Sequence, residues 1–327
     1  VKRRALSIAT AVAFTALFLW LALRKVAFAK LAAAVAGADW VWLAPMAAIV
    51  LLDLVVRGAR WRVLLSRARP GASVAELTRL EAIGIAVNNV LFARVGEFAR
   101  AFLAGRRLGI PAFAALASVA VERAFDVAAL LTIFLVATVF APGFVPEAVR
   151  AGAAAVLAAA VAALVVLAAA EAWIADGGWI ERALRPWPKL HALVAQLVLG
   201  AAVLRSPAAA AEVAAWSLLL WTVDAGVYWA GARALGFGGQ MSYARAVLTL
   251  SWAGASSAIP AAPGAIGTFE AVVASIIGRF GVGAEQALAY ALVCHMTMFL
   301  LVTGLGLVLL SRLGLSLAEL RAEAAKT

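Results

Sequence analysis

The sequence predicts an all-α, polytopic integral membrane protein with about six spanning helices and two broken, re-entrant helical hairpins related as an inverted repeat. Three observations predict it. The 327 residues are 66% hydrophobic and only 14% charged, more apolar surface than a soluble domain can hide. Apolar runs of about 20 residues recur, the length that a hydrocarbon core ~30 Å thick asks of a helix. Two of the apolar stretches also break at matching places. A shift of 171 positions carries Gly96 onto Gly267, Phe98 onto Phe269, Asp53 onto Asp224 and Arg62 onto Arg233. Broken hydrophobic segments at corresponding positions of two halves point to a transporter's binding site.

Taken in order, Lys2-Arg3-Arg4 precede an apolar run over 5–23. That run is too long for the h-region of a signal peptide and has no clear cleavage site, so it is expected to be an uncleaved first helix. Further spans are expected at about 40–65, 112–140, 147–172, 209–235 and 284–311, with the broken segments at about 80–105 and 245–280. The stretch 173–205, with Trp173, Trp179, Trp187 and two prolines, reads as interfacial, since Trp prefers the headgroup level. Its part 190–204 is apolar enough for a shallow helix. The whole chain, 1–327, is expected to be one transmembrane domain, with one repeat over about 1–145 and the other over about 146–327.

Charge sets the expected topology. If each broken segment leaves on the side it entered, then Lys2-Arg3-Arg4, Arg57–Arg79, Arg106-Arg107, Arg182–Arg205 and Arg312–Lys326 all face the cytoplasm, as the positive-inside rule asks. Three crossings per half then invert one half against the other. The alternative, in which each broken segment crosses completely, makes a parallel repeat of eight helices and puts Arg106-Arg107 outside. The net charge of +11 is accounted for by this rule and by anionic lipid, so no nucleic-acid partner is expected. The lone Cys294 excludes an internal disulfide and a cysteine-based metal site. No metal and no cofactor are expected. No H-E-x-x-H, G-x-S-x-G or Walker A pattern occurs, which weakens metalloprotease, hydrolase and ATP-driven readings.

Gly96-Glu97-Phe98-Ala99-Arg100, Glu122-Arg123-Ala124-Phe125-Asp126 and Pro263-Gly264-Ala265-Ile266-Gly267-Thr268-Phe269-Glu270 resemble the G-E-x-x-R, E-R-x-x-D and P-G-x-x-G-x-x-E signatures of one family. It is the lysylphosphatidylglycerol synthase transmembrane-domain family, also called flippase-like. Arg57-Gly58-Ala59-Arg60-Trp61 resembles its R-x-x-R-W stretch. Bifunctional members carry a soluble aminoacyl-transferase domain that is not expected here. The resemblance therefore implies lipid translocation and gives no support for lysyl transfer.

The residues also speak for themselves. Glu97 and Arg100 share one helix face beyond the Gly96 break, and Glu122 and Asp126 share a face of the next helix, with Arg123 beside them. Charges inside a bilayer are costly unless paired or hydrated. One reading is a headgroup cavity in which Arg94, Arg100 and Arg123 fork a phosphate. The other is an ion-pair lock that pins the hairpin, and the sequence leaves both open. In the second break, Pro263 ends a helix, Gly264 and Gly267 allow close backbone approach, Thr268 is expected to cap the next helix, and Glu270 lies in its first turn. That helix start suits an anion, or is simply a capped kink. Thr249, Ser251, Ser256 and Ser257 either hydrate a path or are small packing residues. Asp53, Asp224 and His295 are candidates for ion coupling, or else hydrogen-bonded interior groups.

These readings converge on a lipid flippase that moves an anionic-headgroup lipid or glycolipid across an inner membrane, with both termini cytoplasmic. Its expected partners are membrane lipids, with a lipid-modifying enzyme as a candidate; the sequence does not set an oligomeric state. Two alternatives stay open: an intramembrane lipid-phosphate transferase, and a non-transporting partner of a lipid-modifying enzyme.

Overall fold

The computed structural model describes residues 16–18, 20, 23, 26–91, 95–175, 186–256, 263–315, 317, 319 and 320. Among these residues the regular structure is helical throughout, with no strand. The α-helices are α1 (Phe28–Ala36), α2 (Leu43–Leu64), α3 (Val74–Val90), α4 (Val95–Leu108), α5 (Ala112–Phe140) and α6 (Glu147–Ala175). They continue with α7 (Pro188–Ala201), α8 (Pro207–Ala234), α9 (Tyr243–Ser256), α10 (Thr268–Arg279) and α11 (Ala284–Arg312). Most of the predicted first span, 5–23, together with Arg94, Trp179 and Ser257, lies outside the described residues.

Local chemistry starts and stops these helices. Asp39 Oδ1 accepts from the Val41 N–H at 3.2 Å in the turn that leads into α2. Pro207 opens α8, where its missing N–H costs nothing, and Ser206 caps it by accepting from Ala209 N–H at 3.3 Å. Long apolar runs then carry α2, α5, α6, α8 and α11 to spanning length.

By length and composition, six described helices can cross a membrane: Trp40–Leu64, Ala112–Phe140, Glu147–Ala169, Pro188–Arg205, Pro207–Ala234 and Ala284–Arg312. The fourth covers 190–204, where the sequence suggests a shallow helix; it is long and apolar enough to cross, yet Gly200 is the one buried residue of α7. It packs on α5, where a Cβ at Gly200 would meet the Ala114 carbonyl oxygen at 2.1 Å. Ala202, Val203 and Leu204 behind it are buried. The segment reads as interfacial in sequence because Trp187 and Lys189 flank it, while the small residue that lets it dock gives no hydropathy signal.

Both broken segments fold back on themselves. In the first, Glu76 at the start of α3 accepts from Arg107 Nε near the end of α4 at 3.0 Å. Further in, a Cβ at Gly96 would lie 1.9 Å from the Gly84 carbonyl oxygen, so α3 and α4 touch backbone to backbone there. In the second, the Arg245 guanidinium near the start of α9 stacks over Phe280, just past α10, at 5.2 Å. The two tips meet: a Cβ at Gly264 would lie 3.5 Å from the Asn89 carbonyl oxygen.

α5 and α11 each have 29 residues, and a shift of 172 carries Ala112–Phe140 onto Ala284–Arg312. α2 and α8 pack antiparallel: Asp39 N–H donates to Ala234 O, Ile49 lies against Gly226, and Arg60 reaches Ser217 at 3.1 Å. The hairpins follow opposite ends of this pair. α3 packs on α11 of the other half, and α9 on α5. One apolar cluster joins Leu64, Leu65, Leu77, Leu103, Ile110, Val203 and Leu310 at one end of the bundle. The other joins Ala38, Met46, Ala141, Leu235, Phe237, Phe280 and Val282 at the opposite end.

Candidate functional site

An ion-pair network ties the first hairpin to α2 and α5. Arg60 on α2 has a side chain with 0% exposure. It is held between Asp126, its closest partner, and Glu122, 3.2 Å away. Its Nη1 also donates to Ser217 Oγ on α8. Arg100 on α4 bonds Glu81 on α3 and reaches Glu122 at 3.1 Å, with Trp61 stacked 4.4 Å from its guanidinium carbon. Arg123 on α5 contacts Glu122 at 2.5 Å, Asp126 at 3.2 Å and Glu97 at 3.8 Å. Trp61 and Trp221 fasten the rim by donating to Ser118 Oγ and Asp126 Oδ1, both at 3.1 Å.

The structure thus brings Glu97, Arg100, Glu122, Arg123 and Asp126 into one network and adds Arg60, which the sequence marked only through the R-x-x-R-W resemblance, and Glu81, which sequence reasoning missed. A signal for Arg60 existed. Asp53, Arg57 and Arg60 follow one another at helical spacing within a spanning run, and a buried arginine needs acidic partners. Glu81 carried a weaker signal, a single acid in an apolar half-helix.

Burial divides the network. Arg100 is 3% exposed and committed to two carboxylates, so it belongs to the lock. Arg123 is 41% exposed and Glu97 29%; they form its open end. Among the described residues, four carboxylates (Glu81, Glu97, Glu122 and Asp126) face three guanidiniums (Arg60, Arg100 and Arg123). The anion clamp drawn from Arg94, Arg100 and Arg123 therefore reduces, among described residues, to Arg123. Helical spacing put Arg100 and Glu97 on one face; only packing decides which of the two turns inward.

At the second break, Gly264 and Gly267 take φ values of 71° and 89°, which side chains rarely tolerate. The expected cap differs from the observed one. Gly267 N–H donates to Glu270 Oε2 at 2.6 Å, whereas the Thr268 hydroxyl donates back to Ala265 O at 2.9 Å. Thr268 sits one residue inside the helix, so its hydroxyl is placed for a carbonyl and the carboxylate of Glu270 takes the helix start. Glu270 Oε1 also meets His295 Nδ1 at 2.6 Å, and His295 stacks on Phe269 with centroids 4.3 Å apart. A Cβ at Gly264 would strike Phe299 at 2.5 Å. Pro263 opens the short 3-10 turn beside the tip of α3. The hydroxyls of Thr249, Ser251 and Ser256 donate to their own helix at Arg245, Val247 and Ala253, and these residues are buried packing groups.

Asn88 and Asn89 fasten the first tip. Asn88 Oδ1 accepts from Gly96 N–H at 2.7 Å, and Asn89 Nδ2 donates to Thr303 Oγ1 at 2.9 Å. Apart from the network, Arg57 Nε donates to Asp53 Oδ2 at 2.6 Å.

A long-helix bundle with two folded-back hairpins and charges paired in its interior is a polytopic membrane protein. The chain belongs to the lysylphosphatidylglycerol synthase TM region family, whose model matches residues 8–306. Neither the curated proteins nor the solved structures give a match.

Proposed function

We propose that the protein moves a lipid with a phosphate-bearing headgroup across the membrane, the headgroup passing between the hairpin tips while the acyl chains stay in lipid. The tip-to-tip contact of Asn89 with Gly264, next to the open Arg123–Glu97 end of the network, carries the reading. Non-helical backbone at membrane depth is tolerated only in protein walls or beside a wet cavity. The lock formed by Arg60, Arg100, Glu81, Glu122 and Asp126 holds one wall, and Arg123 supplies the phosphate contact. The lysyl-phospholipid synthase named by the family acts on a lipid, which supports a lipid as substrate. The transferase reading fares worse. Glu122 and Asp126 are each held by guanidiniums, whereas acid–base work needs a carboxylate free to exchange its proton.

The antiparallel α2 and α8 support an inverted repeat, with re-entrant hairpins entering from opposite faces of an inner membrane. α7 then starts and ends on one side, because a crossing there would turn α8 parallel to α2. Arg62, Arg106, Arg107, Arg205 and Arg312 fall at one end of the bundle, which the charge rule makes cytoplasmic together with both termini. Single cysteines at Arg79 and Arg106 are expected to label from the same face and a cysteine at Gly239 from the other. Labelling of Arg79→Cys and Arg106→Cys from opposite faces refutes the hairpin arrangement.

Purified protein in liposomes is expected to speed transbilayer movement of a fluorescent anionic phospholipid. Arg123→Ala should slow it about tenfold or more, since a hydrogen bond to a charged group contributes ~1.5–3 kcal/mol. Arg150→Ala, which removes an exposed pair with Glu147, should leave it unchanged. Equal rates with and without protein, across several anionic lipids, would sink the translocator and favour a partner of a lipid-modifying enzyme.

A further inference from the structure

Asp53 and Asp224 hold equivalent positions of the two halves, and the antiparallel crossing of α2 and α8 brings them together. The Ile49–Gly226 and Arg60–Ser217 contacts bracket them. Asp53 sits midway along α2, is 8% exposed, and its Oδ1 has no hydrogen-bond partner. Arg57 bonds the other oxygen, Oδ2, and packs over Trp221 at 5.9 Å. Asp224 is half-buried and lies three residues beyond Trp221 and two before Gly226, on the stretch of α8 against which Arg57 and Ile49 pack. Among the described residues it has no salt bridge of its own.

The crossing thus holds two carboxylates and one guanidinium. The other ionisable groups nearby do not supply a second cation. Asp126 on α5 and Glu81 on α3 are already paired with Arg60 and Arg100. Tyr228 on α8, Cys294 on α11 and Tyr243 on α9 are neutral groups, and the Tyr243 hydroxyl donates to Thr222 O. Two carboxylates that share one cation at low dielectric do not both stay ionised, so the excess charge calls for a small cation. A metal ion such as sodium or calcium would want several oxygen ligands. α2 and α8 run unbroken through this level, so their carbonyls are engaged within the helices. A proton needs only the carboxyl oxygens.

We propose that Asp53 and Asp224 together form a proton-binding site at the crossing of the two halves and hold one proton between them at neutral pH. The proton comes from water and forms one O–H bond on the pair, while Arg57 keeps its charge. The carboxyl pair holds its proton whether or not the protein moves lipid.

Infrared spectroscopy of the purified full-length chain at pH 7, in light and heavy water, tests it. A carbonyl band from one protonated, solvent-shielded carboxyl is expected, shifting in heavy water. It should vanish in Asp224→Asn and in Asp53→Asn, since a single remaining carboxylate pairs with Arg57, and persist in the exposed control Glu147→Gln. Asp224→Glu keeps the pair and should keep the band, which covers the case of an Asn variant that does not fold. Absence of the band from the wild type, its survival in both Asn variants, or its loss on adding sodium chloride to the wild type at constant pH would each overturn the proposal.

Discussion

Replacing Arg60 with Met is expected to destabilise the protein by about 3–5 kcal/mol, the range for removing one partner of a buried ion pair. The Arg60 side chain has no exposure and bridges Glu122, Asp126 and Ser217. Without it, three helices lose their common cation. Glu122 keeps Arg100 and Arg123, but Asp126 keeps only the half-exposed Arg123 and the Trp221 N–H. Arg60→Lys should lose part of this, because an ammonium cannot fork to two carboxylates. The Arg150→Ala control, on an exposed pair, should fall within about 1 kcal/mol of wild type. Thermal unfolding in detergent reads the series, and a melting temperature for Arg60→Met equal to wild type would remove the lock from the account.

The second large effect is expected from Gly96→Ala. Its new Cβ would lie 1.9 Å from the Gly84 carbonyl oxygen and 2.7 Å from Asn88 Oδ1. The first is backbone and cannot swing aside; the second accepts the Gly96 N–H that opens α4. The hairpin therefore has to splay, and Arg100, whose Cβ sits 3.3 Å from a Cβ built at Gly84, moves off Glu81 and Glu122. Overpacking of this kind costs roughly 1–3 kcal/mol and sometimes more, with the upper end expected here. Gly239→Ala, with open space around it, should be neutral. Lower melting together with slower lipid movement in Gly96→Ala, and neither in Gly239→Ala, is the expected pattern. A Gly96→Ala protein with wild-type melting would show that α3 and α4 are not held by this contact.

How far the sequence could be read follows from how each signal is written. Hydropathy marked the five expected spans that fall on described residues, since a run long enough to cross a membrane is a property of adjacent residues. The 171-residue shift marked the paired breaks, because matching residues at a fixed spacing can be read along the chain. The i, i+3 and i, i+4 acids and bases at Glu97–Arg100 and Glu122–Asp126 belong to the site for the same local reason. The place of Arg60 and Glu81 in the network was missed because their partners are 62 and 19 positions away in the chain, and no periodicity encodes a contact between helices. The packed position of α7 was missed for a like reason: it turns on Gly200 meeting Ala114.

By itself, then, the sequence determined an all-α membrane bundle, the places where two of its segments break, and the charged residues around the first break, all of them consequences of local composition and spacing. Only the tertiary structure decided which charges are locked and which open. Arg100 and Arg123 are the same residue type beside the same Glu122. One is sealed under Trp61 and Glu81 and the other faces outward, because burial depends on which helices close over a side chain.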